Sequence, residues 1–127
     1  MNKIFKISII VFLFITVKLY SQQYWLNAGN ATTQNLWKCS FVDTSYGWAV
    51  GDSGTIVHTT NGGNTWSIQN SKIHEYMISV FFLNRRLGWA LAWGLNQNYF
   101  GTYILKTTNG GTTWDTSRYP VPDTYVR

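Results

Sequence analysis

Acidic charge is scarce in this sequence: five Asp and Glu among 127 residues, with Glu75 the only glutamate. A glycosidase needs two carboxylates facing each other across a cleft. Asp43 and Asp52 fall in turn-like stretches, where bonding to the local backbone is their ordinary use, and Asp115 and Asp123 lie near the end. No catalytic pair emerges. The single cysteine, Cys39, excludes an internal disulfide. It lies in Trp37-Lys38-Cys39-Ser40-Phe41, on one period-two face with both aromatics, which predicts a small buried apolar residue. Histidine is limited to His58 and His74, with no Cys or Asp cluster to complete a metal shell, so no metal and no other cofactor is expected. A Gly-x-Ser-x-Gly elbow is also missing.

Aromatics, by contrast, make up 17% of the chain, alongside eleven glycines and only 12% charged residues. Such a chain can bury enough apolar surface to offset its ordering entropy, which excludes disorder. Abundant Thr, Trp, Tyr and Phe favour strands over helices. The net charge of +5 does not indicate nucleic-acid binding. Three of its lysines, Lys3, Lys6 and Lys18, flank or precede an apolar run from Ile7 to Val17, with Ser21 as a small residue after it. This layout predicts a signal peptide over residues 1–21, too short for a spanning helix, and an exported, secreted or surface/periplasmic protein. Beyond it, only Arg85-Arg86 clusters positive charge, too little to track a phosphate backbone.

An internal repeat decides the architecture. Thr59-Thr60-Asn61-Gly62-Gly63-Asn64-Thr65-Trp66 returns as Thr107-Thr108-Asn109-Gly110-Gly111-Thr112-Thr113-Trp114, an offset of 48 residues. Upstream, Phe41 to Val50 matches Phe82 to Leu91 at an offset of 41, through a shared Gly-Trp-Ala. Each copy reads as four short strands: about 37–42, 47–50, 55–60 and 65–69, then 77–83, 89–93, 103–108 and 113–117. An Asn-Gly pair between strand-like runs marks a hairpin, because glycine accepts positive φ. Four strands per 40 to 50 residues is the pattern of a propeller blade. The predicted fold is therefore all-β, a partial β-propeller of two four-stranded antiparallel blades. Residues 22–118 carry the repeats (37–70 and 77–117), and 119–127, with Pro120 and Pro122, form a connector or tail. Two blades do not close a ring, which leaves two options: a truncated part of a longer protein, or self-assembly of several copies to complete the propeller.

Within the motif, Asn61 and Asn109 are expected to bond backbone N–H groups of the turn, with Thr59, Thr65, Thr107 and Thr113 adding hydroxyl bonds. Gly63 and Gly111 supply the turn, and Trp66 and Trp114 are expected to pack on the next sheet and hold blades together. His58 aligns with Lys106, which predicts a solvent-facing site. The difference between the two offsets is an insertion, Gly94 to Gly101. It predicts a lengthened loop whose Asn96, Gln97, Asn98, Tyr99 and Phe100 form a candidate binding site, aromatics among amides suiting protein or sugar recognition.

Thr-x-Asn-x-Gly-x-Thr-Trp resembles the Asp-box, or BNR repeat, with Asn in place of the usual Asp. Gly47-Trp48-Ala49-Val50-Gly51, followed by Gly54-Thr55-Ile56-Val57 and the Asn-Gly-Gly hairpin, is similar to the repeat of photosystem II stability/assembly factors and their exported bacterial relatives. The resemblance spans Phe41 to Thr116. It implies a non-catalytic protein-binding or scaffold module, with a protein or extracellular surface ligand as partner. Sialidases also carry this repeat, so the alternative is a fragment of a glycan-active propeller enzyme whose catalytic blades lie elsewhere.

Overall fold

The computed structural model describes residues 31–96 and 99–120. The segment expected to be a signal peptide, the loop residues Gln97 and Asn98, and residues 121–127 lie outside them. Eight strands follow in chain order: β1 (Leu36–Phe41), β2 (Gly47–Gly51), β3 (Ile56–Thr59), β4 (Ser67–Gln69), β5 (Tyr76–Phe82), β6 (Gly88–Asn96), β7 (Tyr99–Thr107) and β8 (Asp115–Pro120). They form two four-stranded antiparallel sheets ordered β1-β2-β3-β4 and β5-β6-β7-β8. Two consecutive propeller-type blades result, as the repeat predicts.

The registers of the two sheets coincide residue by residue. Gly47 pairs with Thr59 and Trp48 with His58, while Gly88 pairs with Thr107 and Trp89 with Lys106. His58 faces Ser67, and Lys106 faces Asp115. The reason is periodicity: a slip of one residue would turn every apolar side chain to the wrong face, and the glycine turns fix the pairing from either end. Gly62 and Gly110 adopt φ of 69° and 71°, and a Cβ there would meet the carbonyl oxygens of Thr44 and Arg85 at 2.7 and 2.8 Å. Only glycine fits both demands.

The core lies in the seam between the sheets. Trp48, Val50 and Ile56 of the first sheet meet Met77, Val80, Phe82, Ala90, Ala92, Leu105 and Trp114 of the second. At its centre the Trp48 ring lies between two others. It stacks on His58 at 4.7 Å between centroids and on Phe82 at 3.5 Å, nearly parallel at 6°. The indole N–H crosses the seam and donates to the Gly110 carbonyl at 3.1 Å. Phe82 N donates to Ser40 Oγ, and Gln69 Nε2 to the same Gly110 oxygen. Burying about 200 Å² of ring surface stabilises by up to ~5 kcal/mol, counted against an extended chain.

Several expectations need correcting against this arrangement. The two motif tryptophans play unequal parts, Trp114 lying in the buried seam cluster and Trp66 outside it. Trp66 meets Phe41, and Trp114 meets Phe82, edge to face within their own sheets; the ring that crosses is Trp48. Cys39 is exposed rather than buried. Its counterpart Val80 is covered because it faces the first sheet, whereas Cys39 points to that sheet's open side. His58 is not a solvent-facing site, since it shares the seam face with Trp48. The inserted Gly94–Gly101 stretch does not form an irregular loop: β6 and β7 run on through it, pairing Leu95 with Phe100 and Asn96 with Tyr99. Residues 119 and 120 continue β8 rather than opening a connector; β8 is an edge strand, where proline is tolerated.

The seam yields two predictions. Trp48→Ala should cost ~3–5 kcal/mol in denaturant unfolding, the usual range for emptying a buried aromatic site. Half-buried Trp66→Ala should cost about half of that or less. Burial pushes the His58 imidazole below its ordinary value of 6.5, and its Nε2 has no hydrogen-bond partner among the described residues. Held neutral in the fold, it lets the unfolded chain take up a proton first as pH falls through that value. Stability is therefore complete above the ordinary value and declines below it. The melting temperature should drop between about pH 7.5 and about pH 5.5, and His58→Gln should flatten that part of the profile.

Candidate protein-binding site

The two ends of the seam differ in chemistry. At one end sit the turns between β1 and β2, β3 and β4, and their counterparts in the second sheet. Thr59 Oγ1 accepts from Gly63 N at 2.9 Å and from Asn61 N at 3.3 Å, and donates to Asn61 Oδ1. Asn61 Oδ1 also accepts from Thr65 N, while its Nδ2 donates to Thr65 Oγ1 at 2.8 Å. Thr107, Asn109, Gly111 and Thr113 repeat the same bonds. The predicted motif residues are therefore brought together twice, and their polar groups are spent on one another. Such a turn is a fastener and has little left to offer a ligand.

This end is also braced across the seam. Asp43 Oδ1 accepts from Ser45 N and Tyr46 N, and its Oδ2 accepts from Arg85 Nε at 2.8 Å. Those backbone donors, and then the guanidinium, hold the Asp43 carboxyl below its ordinary range. The Arg85 guanidinium lies over the Tyr46 ring at 4.0 Å. The ion pair is exposed to solvent and contributes orientation more than stability.

The opposite end carries a different surface. Where β1 and β5 begin, Trp37, Lys38, Tyr76, Met77 and Ile78 line an open groove of about 390 Å³. Trp37, Tyr76 and Ile78 are exposed, Trp37 to 61%. Both sheets break their ladder at the same place, between Leu36 and Lys38 and between Met77 and Ser79. A bulge re-aims the residue it contains. Here the bulged residues are Trp37 and Ile78, matched at the 41-residue offset, and both line the groove. Asp52 fixes the rim: its carboxylate accepts from Trp37 Nε1 and from Asn35 Nδ2. Beneath it, Gly54 N donates to Glu75 O across the seam at 2.8 Å.

The register also locates the candidate loop. Tyr76 pairs with Trp93, so Asn96, Tyr99 and Phe100 extend three residues past the start of β5, at the groove end of the sheets. Gln97 and Asn98 lie outside the described residues. Sequence reasoning missed Trp37, Lys38, Tyr76 and Ile78 as site residues. Their signal was a large apolar residue near each strand start, Trp37 and Ile78, recurring at the 41-residue offset, hidden because a bulge breaks the alternation by which faces are read. The groove lining holds one charged side chain, Lys38, and no carboxylate. Among the described residues no group of three or more His, Cys, Asp or Glu could hold a metal ion.

Comparison with known proteins agrees with this architecture. A solved structure described as YCF48 bound to D1 peptide resembles the chain with a TM-score of 0.55 and 28% sequence identity. The match covers 75% of this chain but only 29% of that one, so this chain spans less than a third of its relative. No curated protein matches the sequence. The family described as photosynthesis system II assembly factor YCF48 matches residues 17–119. With its sheets, its paired turns and most of its length in agreement, this chain belongs to the photosynthesis system II assembly factor YCF48 family.

Proposed function

We propose that the chain is a non-catalytic protein-binding module of assembly-factor type, and that the groove at the start of β1 and β5 receives an extended segment of a protein partner. The observation that carries this reading is the groove itself: exposed Trp37, Tyr76 and Ile78 around one lysine, on a two-sheet base. Aromatic side chains with a single cation suit peptide recognition, because apolar area supplies affinity while Lys38 selects for a carboxylate or carbonyl oxygen. The relative solved with a D1 peptide supports a protein ligand for this family. Photosystem assembly as the process is a finer reading, proposed on family membership. The β6–β7 hairpin, which ends in Asn96, Tyr99 and Phe100, forms a second wall of the same site in this proposal.

An exported location accompanies the reading, with residues 1–21 removed as a signal peptide. The glycan-active alternative gains no support from the groove, whose lining offers no pair of carboxylates.

The test starts with peptides selected against the chain from a random display library. Replacing Trp37 and Tyr76 together by Ser should weaken the selected peptides at least ~10-fold in fluorescence anisotropy, since buried aromatic anchors each contribute about 1–2 kcal/mol. Melting should change little, because both side chains are exposed. Tyr99→Ser with Phe100→Ser should weaken binding by a smaller factor. Unchanged affinity in the Trp37 and Tyr76 variant would end the groove proposal.

A further inference from the structure

We infer that a second copy of this chain seats on the open face of the second sheet, repeating head to tail the joint that already holds the two sheets together. The joint in the seam has a plug and a socket. Its plug is Trp48, flanked by Val50 and Ile56, all three at 0% exposure. Its socket is Phe82, whose ring lies so close over Gly88 that a Cβ there would meet it at 2.5 Å, with Trp114 at its edge and the Gly110 carbonyl as acceptor.

Both halves recur, unpartnered, on the outer faces. The register puts Trp89, Leu91 and Ile104 where Trp48, Val50 and Ile56 stand in the first sheet. All three are only partly covered, and among the described residues the Trp89 indole N–H has no acceptor. At the other end Phe41 lies over Gly47, where a Cβ would meet its ring at 2.4 Å, with Trp66 edge-on and Gly62 in the place of Gly110. Phe41 is 47% exposed, against 4% for Phe82. A plug and a matching socket on opposite faces of one rigid body make a heterologous contact. Such contacts generate rings when the rotation closes. Counting the two described blades of each copy, roughly two to four copies give the usual four to eight blades.

The polar hooks of the inner joint are not copied. Where Ser40, Asp43 and Gln69 reach across the seam, the second sheet has Phe81, Asn84 and Ser117, and the first sheet has Thr44 in the place of Arg85. The outer joint is therefore apolar and weaker than the inner one, and assembly depends on protein concentration. This inference is independent of the peptide groove, and its readout includes no partner.

Sedimentation velocity of the full chain over a wide concentration range tests it. The expected result is association into a closed species of defined copy number. Trp89→Ala and Phe41→Ala should each leave the chain monomeric, because every joint needs both residues. An equal mixture of the two variants should give a two-copy species and nothing larger, because one intact Trp89 and one intact Phe41 remain. Trp89→Phe should restore assembly, since it keeps a ring for stacking.

Cys39 supplies a readout that needs no variant. It is exposed on the socket face, at the position where Val80 is covered in the seam. Alkylation of this sole thiol should slow several-fold as the copies associate. A wild-type chain that stays monomeric at every concentration would overturn the inference. So would an alkylation rate that does not change while larger species form.

Discussion

A single indole governs this structure. Trp48 lies between the His58 ring of its own sheet and the Phe82 ring of the next, and its N–H reaches across to the Gly110 carbonyl. Two small sheets, each with an apolar face, gain stability mainly by covering one another, and the stack fixes the rotation and distance at which they do so. Gly88 lies beneath Phe82 because any side chain there would lift that ring off Trp48. Ser40, Gln69, Asp43 and Arg85 then bond across a seam whose geometry is already set.

Fastening turns and exposed apolar surface are separated along the seam. The Thr-Asn-Gly-Thr turns and the Asp43–Arg85 pair occupy one end, where the threonine and asparagine side chains of the turns bond one another. The other end keeps its apolar side chains in water around the groove. Exposed aromatic clusters of this sort mark interaction surfaces. The chain belongs to the YCF48 family and resembles a relative solved with a peptide, of which it spans only part.

Much of the fold was legible because the repeat carries its own register. Identical Gly-Trp-Ala and Asn-Gly-Gly runs at fixed offsets imply two sheets of one design, and both hairpins pair as the offsets require. What stayed hidden depends on which face of a sheet meets its neighbour. Cys39 and Val80 hold equivalent positions, yet one is exposed and the other covered. His58 and Lys106 likewise differ only in having, or lacking, a sheet opposite. Trp114 lies in the seam cluster and Trp66 does not, and the indole whose N–H crosses is Trp48, since a repeat shows equivalence without showing direction. The insertion was read as a loop because glycines and amides punctuate it, whereas Gly94 and Gly101 pair inside a continuing ladder. The groove escaped notice because bulges at Trp37 and Ile78 break the period that identifies faces.

The central claim is that Trp48 and Phe82 act as one unit in holding the sheets together, and a double-mutant cycle measures that directly. Unfolding free energies for Trp48→Leu, Phe82→Leu and the double variant should show a coupling of about 0.5–1.5 kcal/mol or more, the range for stacked aromatic pairs. Strict additivity of the two single losses would contradict the account, because it would mean that the rings lie in the seam without depending on each other.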